Sequence, residues 1–198
     1  MQLNKKDLGL SFVIGILAGL FLAFIVYKFK GGTLSQGIIA FVGLVIITPL
    51  GYLIGFLLSK RVPTILQFLK FAEVGGLNFV IDLGVLNILM AWQNIYAGPL
   101  YPVFKGTSFL IAVTNSYFWN KYWAFKSTGG GQTGEALKFL LTNIVGFGVN
   151  VGVASLVVFA GPLGAISVEK WANLGAVIGS LVALTWNFIG IKFFVFKK

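Results

Sequence analysis

Apolar runs of about twenty residues alternate along this chain with short basic or glycine-rich interruptions, the pattern of successive membrane-crossing helices. The first run, Leu8 to Tyr27, follows Asn4-Lys5-Lys6-Asp7 and is stopped by Lys28 and Lys30. At about 1.5 Å per residue it reaches across the roughly 30 Å core of a bilayer. Its basic start resembles a signal peptide, but the run is too long and no small-x-small cleavage site precedes the lysines, so a retained span is expected. After Gly31-Gly32-Thr33 a second span is predicted from about Gly37 to Leu58, bent at Pro49 and ended by Lys60-Arg61.

Val62-Pro63-Thr64 reads as a linker. Beyond it, Ile65 to Phe71 sets Leu66, Phe68 and Leu69 among Gln67 and Lys70, which predicts a short interfacial helical turn feeding a third span to about Trp92. Trp92, Tyr96 and Tyr101, with Pro99 and Pro102, read as a loop in the aromatic belt of the membrane interface. A fourth span is predicted over about Thr107 to Tyr122, a fifth over Leu137 to Phe159 and a sixth over Trp171 to Phe193. Between the fourth and fifth lies STGGGQTGE, Ser127 to Glu135, a polar connection. Its glycines have the separation of a phosphate-binding loop, but Glu135 stands where that loop needs lysine and no strand precedes it, which excludes a nucleotide site. The fold class expected is therefore all-α integral membrane, with six transmembrane helices.

The last four spans repeat. KYWAFK (Lys121 to Lys126) lies over KFFVFK (Lys192 to Lys197), matching both lysines and every aromatic. LKFAEVGGLNFVIDLGV (Leu69 to Val85) lies over LKFLLTNIVGFGVNVGV (Leu137 to Val153) without a gap, pairing Asp82 with Asn150. Two separate segments agree in order and spacing, so two repeat units are expected, about 65–126 and 137–198, with residues 1–62 forming two additional helices. An even number of spans per unit makes both units enter the membrane in the same direction.

Composition narrows the class further. Hydrophobic residues make up 58% of the 198 positions and charged residues 10%, far from the quarter or so usual in a soluble domain. The net charge of +10 does not indicate nucleic acid, because the cations sit between apolar runs instead of on one polar face. Counted by side, eleven cations lie with the termini (Lys5, Lys6, Lys60, Arg61, Lys70, Lys121, Lys126, Lys138, Lys192, Lys197, Lys198) and four lie opposite (Lys28, Lys30, Lys105, Lys170). The positive-inside rule then puts both termini in the cytoplasm. With no cysteine and no histidine, thiolate chemistry and the usual zinc or haem sites are excluded. No activated nucleophile or catalytic acid pair is visible, so neither an enzyme nor a cofactor site is expected.

Candidate chemistry gathers at the basic span ends. Any single lysine beside Trp or Tyr can simply snorkel to the headgroups. The set Lys70, Lys121, Lys138 and Lys192, joined by the amides of Asn115, Asn120 and Asn187, is more demanding and is expected to converge on one face. Cations and amide donors beside an apolar groove are what a lipid phosphate needs, because its charge must be neutralised while its tails stay in hydrocarbon.

Asp82 is twelve residues past Lys70, about 18 Å along a helix, and an acid at that depth must face the bundle interior or a wet cavity. Asn78, Asp82 and Asn150 are therefore the expected intramembrane polar path. The alternative is that Asp82 is glued to Asn78, Asn150 or Asn187 and only holds helices together. Glu73, one turn from Lys70, reads as a surface ion pair. GxxxG pairs such as Gly15/Gly19 and Gly148/Gly152 permit close helix packing, within the chain or in a homo-oligomer.

QFLKFAEVGG (Gln67 to Gly76), Asp82, Asn115, the Asn120-Lys121-x-Trp123-x-Phe125 ending, and Trp186-Asn187 through Lys192 to Phe196 resemble the GtrA-like membrane proteins of cell-surface polysaccharide synthesis. The resemblance covers about Pro63 to Lys198 and implies a four-helix domain there. Lysine stands at Lys121 and Lys192 where the family more often has arginine, and Leu8 to Leu58 adds two spans that the resemblance does not explain.

What the resemblance implies is a flippase for a polyprenyl-phosphate-linked monosaccharide in the cytoplasmic membrane of a prokaryote, partnered with membrane lipids and a polyprenyl-phosphate glycosyltransferase. Carried over by motif, it nominates Lys70, Asp82, Asn115, Asn120, Lys121, Trp123, Asn187 and Lys192 as site residues, with Lys138 added by the repeat. The alternative it leaves open is a scaffold that recruits or orients the glycosyltransferase and transports nothing.

Overall fold

A computed structural model describes residues 3–29, 31–94, 100–127, 134–162, 164 and 168–196. Its long helices are α1 (Lys5–Phe29), α2 (Leu34–Ser59), α3 (Thr64–Gln93), α4 (Tyr101–Trp119), α5 (Glu135–Phe159) and α6 (Val168–Gly190). Two five-residue π-helical turns, π1 (Asn120–Ala124) and π2 (Ile191–Val195), continue α4 and α6.

The protein is an all-α integral membrane protein. Among the described residues, five stretches are long and apolar enough to cross a bilayer: Lys5–Phe29, Leu34–Ser59, Thr64–Gln93, Glu135–Val153 and Val177–Val195. Helix α4 forms where the fourth span is expected but falls short of that apolarity, because Thr107, Ser108, Thr114, Asn115 and Ser116 interrupt it. Ser108 and Ser116 are buried in the protein. Thr107 and Thr114 stay exposed and donate their hydroxyls to the Val103 and Leu110 carbonyls of their own helix, while Leu20, Phe24, Ile39 and Ile47 face out, as expected where the surroundings are lipid.

Local sequence sets the helix ends. Thr33 opens α2 with a reciprocal cap: its Oγ1 accepts from the Gln36 amide at 3.3 Å, and the Gln36 side chain accepts from the Thr33 amide at 2.9 Å. Asn94 closes α3 in the left-handed conformation, φ 54°. The interfacial turn expected over Ile65 to Phe71 is the opening of α3 itself, which runs on through Gly75-Gly76 with no proline to stop it. Likewise α2 passes through Pro49 as one helix.

The chain divides into two compact units, Met1–Lys126 and Ser127–Lys198. In the first, α1 and α2 form a hairpin, both pack on α3, and α4 with π1 closes against α3. Gly15 and Gly19 let α1 approach α2 closely, since a Cβ at either position would come within about 3 Å of the Leu44 or Phe41 carbonyl oxygen. Ile14, Ala18, Tyr52, Val74, Leu77, Val80, Ala112 and Trp123 fill the centre. The second unit is the α5–α6 hairpin, with π2 folded against α5. Buried Trp171 donates its indole N–H to the Val157 carbonyl at 2.7 Å, tying the two helices together.

Candidate functional site

The two basic endings fold alike. Each forms a π-helical turn closed by a bond spanning five residues, Phe125 N–H to the Asn120 carbonyl and Phe196 N–H to the Ile191 carbonyl, both 2.9 Å. Such widened turns cluster at functional positions in helices. In each, the lysine lies against one ring four residues before it and another one residue after. The Lys121 ammonium is 5.3 Å from the Tyr117 ring centre and 5.9 Å from that of Tyr122, and it donates to the Tyr117 hydroxyl at 3.0 Å. The Lys192 ammonium is 5.5 Å from both Phe188 and Phe193. Behind each turn one aromatic pair ties it to the preceding helix, Phe71 with Phe125 and Phe139 with Phe196, both at 6.1 Å. The repeat in the sequence is thus a repeat of contacts.

Deeper along the helices, each unit pairs a polar group with a serine of the neighbouring helix. Ser108 donates to Asp82 at 2.6 Å, and Asn150, the repeat counterpart of Asp82, donates to Ser180 at 3.1 Å. Ser108 on α4, which was not among the amides expected to hold Asp82, is thus one of its partners. Between that depth and the ending, Asn115 donates to Asn78 at 2.7 Å. The position equivalent to Asn78 is Gly146, where the Asn187 side chain occupies the space a Cβ would need, and the Asn187 Oδ1 is buried without a hydrogen-bond partner among the described residues.

At the basic end of the first unit, Lys70 is 4% exposed. Its ammonium binds Asp7 Oδ2 at 2.6 Å and lies 5.4 Å from the Trp123 ring and 5.7 Å from the Tyr52 ring. Lys126 binds the same Asp7 oxygen at 2.9 Å. A buried ammonium requires this kind of partner, since an unpaired charge out of water costs several kcal/mol, on the order of a small domain's whole stability. Glu73 is not the surface ion pair expected. It accepts from Ser11 at 2.7 Å, its Oε1 is buried without a partner among the described residues, and it lines an apolar cavity of about 450 Å³ with Ile14, Leu44, Leu69 and Val80.

Within the first unit, then, the expected site residues Lys70 and Trp123 meet, as do Asn78 and Asn115. Asn120 is fully buried; its amide nitrogen donates to the Ser116 carbonyl and hydroxyl at 2.9 and 3.1 Å, which fastens π1, and its Oδ1 has no hydrogen-bond partner among the described residues. In the second unit Lys138 is exposed on α5, while Asn187 and Lys192 are half-buried. Asp7, Ser11, Tyr52, Lys126, Ser108 and Tyr117 complete these clusters without having been singled out from sequence. Asp7 carried one usable signal: it is one of five acids in a chain with fifteen cations, placed at the start of an apolar span.

A family model described as the GtrA/DPMS transmembrane domain matches residues 70–196. The match begins at Lys70, takes in both π-helical turns and leaves out α1 and α2. The uncharacterized membrane protein YngA of Bacillus subtilis (strain 168) is 31% identical over 127 residues, which are 64% of this chain and 77% of that protein. No solved structure matches.

Proposed function

The chain belongs to the GtrA/DPMS transmembrane-domain family, and from that premise we propose that it is a translocase moving a polyprenyl-phosphate-linked monosaccharide across the bilayer for cell-surface polysaccharide or glycolipid synthesis. Membership supports a role in processes that use polyprenyl-phosphate sugars. The carrier reading rests on one observation: each repeat holds a lysine between two aromatic rings at a widened helix end. A cation in such a seat is partly stripped of water, so an arriving phosphate gains more from it than from a hydrated surface lysine. The Asp82–Ser108 pair, part-buried, and the Asn150–Ser180 pair, exposed, give sugar hydroxyls polar partners along the helix pairs, while the polyprenyl tail stays on the apolar exterior.

Leaflet exchange tests this reading. Proteoliposomes loaded with a labelled polyprenyl-phosphate sugar should exchange it faster than empty vesicles, and folded protein that gives no acceleration would end the translocase reading. One observation favours the alternative of a glycosyltransferase scaffold: Lys70 already has an internal counter-ion in Asp7. The two readings part at Asp82→Asn, which slows exchange in a translocase and leaves a scaffold's support of glycosyl transfer intact.

A further inference from the structure

We propose that Lys70, Lys126 and Trp123 form a binding site for a phosphate-class anion, and that the carboxylate of Asp7 fills it as a tethered stand-in. This rests on the reading above that the family's basic ends meet phosphate. Three features of the cluster point to a larger anion than the one it holds.

The first is charge. Both ammonium groups bond one carboxylate oxygen, at 2.6 and 2.9 Å, so two cations share one anion. The nearby acid, Glu73, accepts at Oε2 from the Ser11 hydroxyl. A phosphate ester with up to two negative charges balances the pair better than a single carboxylate. The second is an unmet donor. The Trp123 ring lies 5.4 Å from the Lys70 ammonium, and its indole N–H is buried with no acceptor among the described residues. Buried donors are rarely left so, and a phosphate brings more acceptor oxygens than a carboxylate.

The third is access. The Lys126 side chain is 49% exposed while that of Asp7 is 8% exposed, so the site is open on the Lys126 side. Asp7 itself sits in the first turn of α1, held there by the Asn4 side chain, which accepts from the Lys6 and Asp7 amides at 3.0 and 3.3 Å. Unwinding that one turn frees the carboxylate without disturbing the apolar run that begins at Leu8. The repeat counterpart of Lys70, Lys138, stands exposed on α5.

The test is chemical rescue of the full chain in detergent. Asp7→Ala strips the buried ammonium of its partner and lowers the thermal midpoint. Inorganic phosphate or a polyprenyl phosphate restores about 4 °C or more, unphosphorylated polyprenol does not, and the wild type, whose site is filled, responds least. Rescue by inorganic phosphate assigns the site to free phosphate, and rescue by the lipid alone assigns it to a headgroup. Adding Lys126→Met removes the rescue in either case.

An Asp7→Ala protein that neither anion stabilises, or a wild type that gains as much, overturns the site. So does rescue that survives Lys126→Met. Asp7→Asn, which keeps the volume, serves as the second variant, and failure to recover both variants when they are extracted in phosphate also counts against the site. Should phosphate rescue Asp7→Ala while the wild type exchanges no lipid, the translocase reading falls and the anion site stands.

Discussion

Lys121 and Tyr117 sit one helical turn apart with the ammonium 3.0 Å from the phenol oxygen and 5.3 Å from the ring centre, so one side chain both accepts the lysine's hydrogen bond and supports its charge. The second repeat keeps the ring, as Phe188, and drops the hydroxyl. Ring and hydroxyl can therefore be separated. Tyr117→Phe should bind a labelled polyprenyl phosphate within about threefold of wild type, since a cation over the ring face is worth about 0.5–2 kcal/mol without the hydroxyl. Tyr117→Leu should lose roughly three- to thirtyfold. Equal losses for the two variants would mean that the ring does not seat the cation.

Lysines along the chain should not be equivalent. Lys121→Ala removes an ammonium that is buried and ring-supported, and should weaken polyprenyl-phosphate binding more than Lys198→Ala, which changes the last residue of the chain. Titration of both variants with the labelled lipid, at the same protein and salt concentrations, decides it. If the two lose equally, the binding is a diffuse attraction to cationic surface and not a seat.

Gly146 should be intolerant for a spatial reason. A methyl group there collides with the Asn187 side chain, so Gly146→Ala should cost about 1–3 kcal/mol, the usual range for overpacking. Adding Asn187→Ala should recover much of it. Thermal unfolding of the two single variants and the double variant forms the cycle, and strictly additive losses would show that the residues do not compete for space.

The two lysines on Asp7 should differ in stability. Lys70 is buried and ringed by Trp123 and Tyr52, whereas the Lys126 side chain is half exposed. Lys70→Met should lower stability by about 3 kcal/mol, near the low end for breaking a buried pair because Asp7 keeps Lys126. Lys126→Met should cost about 1 kcal/mol or less, as for exposed pairs. Comparison of the two thermal midpoints checks the order, and a larger loss at Lys126 would contradict it.

Much of this architecture is legible from residue order alone. Lys28 and Lys60-Arg61 end apolar runs near bilayer length, so α1 and α2 announce themselves, whereas α4, with polar residues through it, is marked chiefly by its Lys121 to Lys126 ending. The ending of each repeat is legible too, because Phe125 and Phe196 recur at the same distance from Lys121 and Lys192 and then make matching ring contacts with Phe71 and Phe139. The widening of those turns from α to π is not, since no residue type encodes it.

The partners of the buried charges are also hidden. Asp7 meets Lys70 across 63 residues and Lys126 across 119, and Ser11 reaches Glu73 across 62. Local spacing favours Glu73 as the partner of Lys70, three positions away on the same helix. The packing of α1 against α3 overrides that choice. Ser108 escapes notice for a similar reason: a serine in an apolar run is unremarkable until a second helix places Asp82 2.6 Å from it.

Asp7 belongs to the hairpin outside the family-matched stretch, yet it neutralises the lysine on which that stretch opens. The hairpin is consequently no detachable handle. A chimera that transplants α3 onward without α1 inherits a naked ammonium at the edge of oil, and whoever dissects this chain for crystals or assays must carry the acid along with the lysine or replace both.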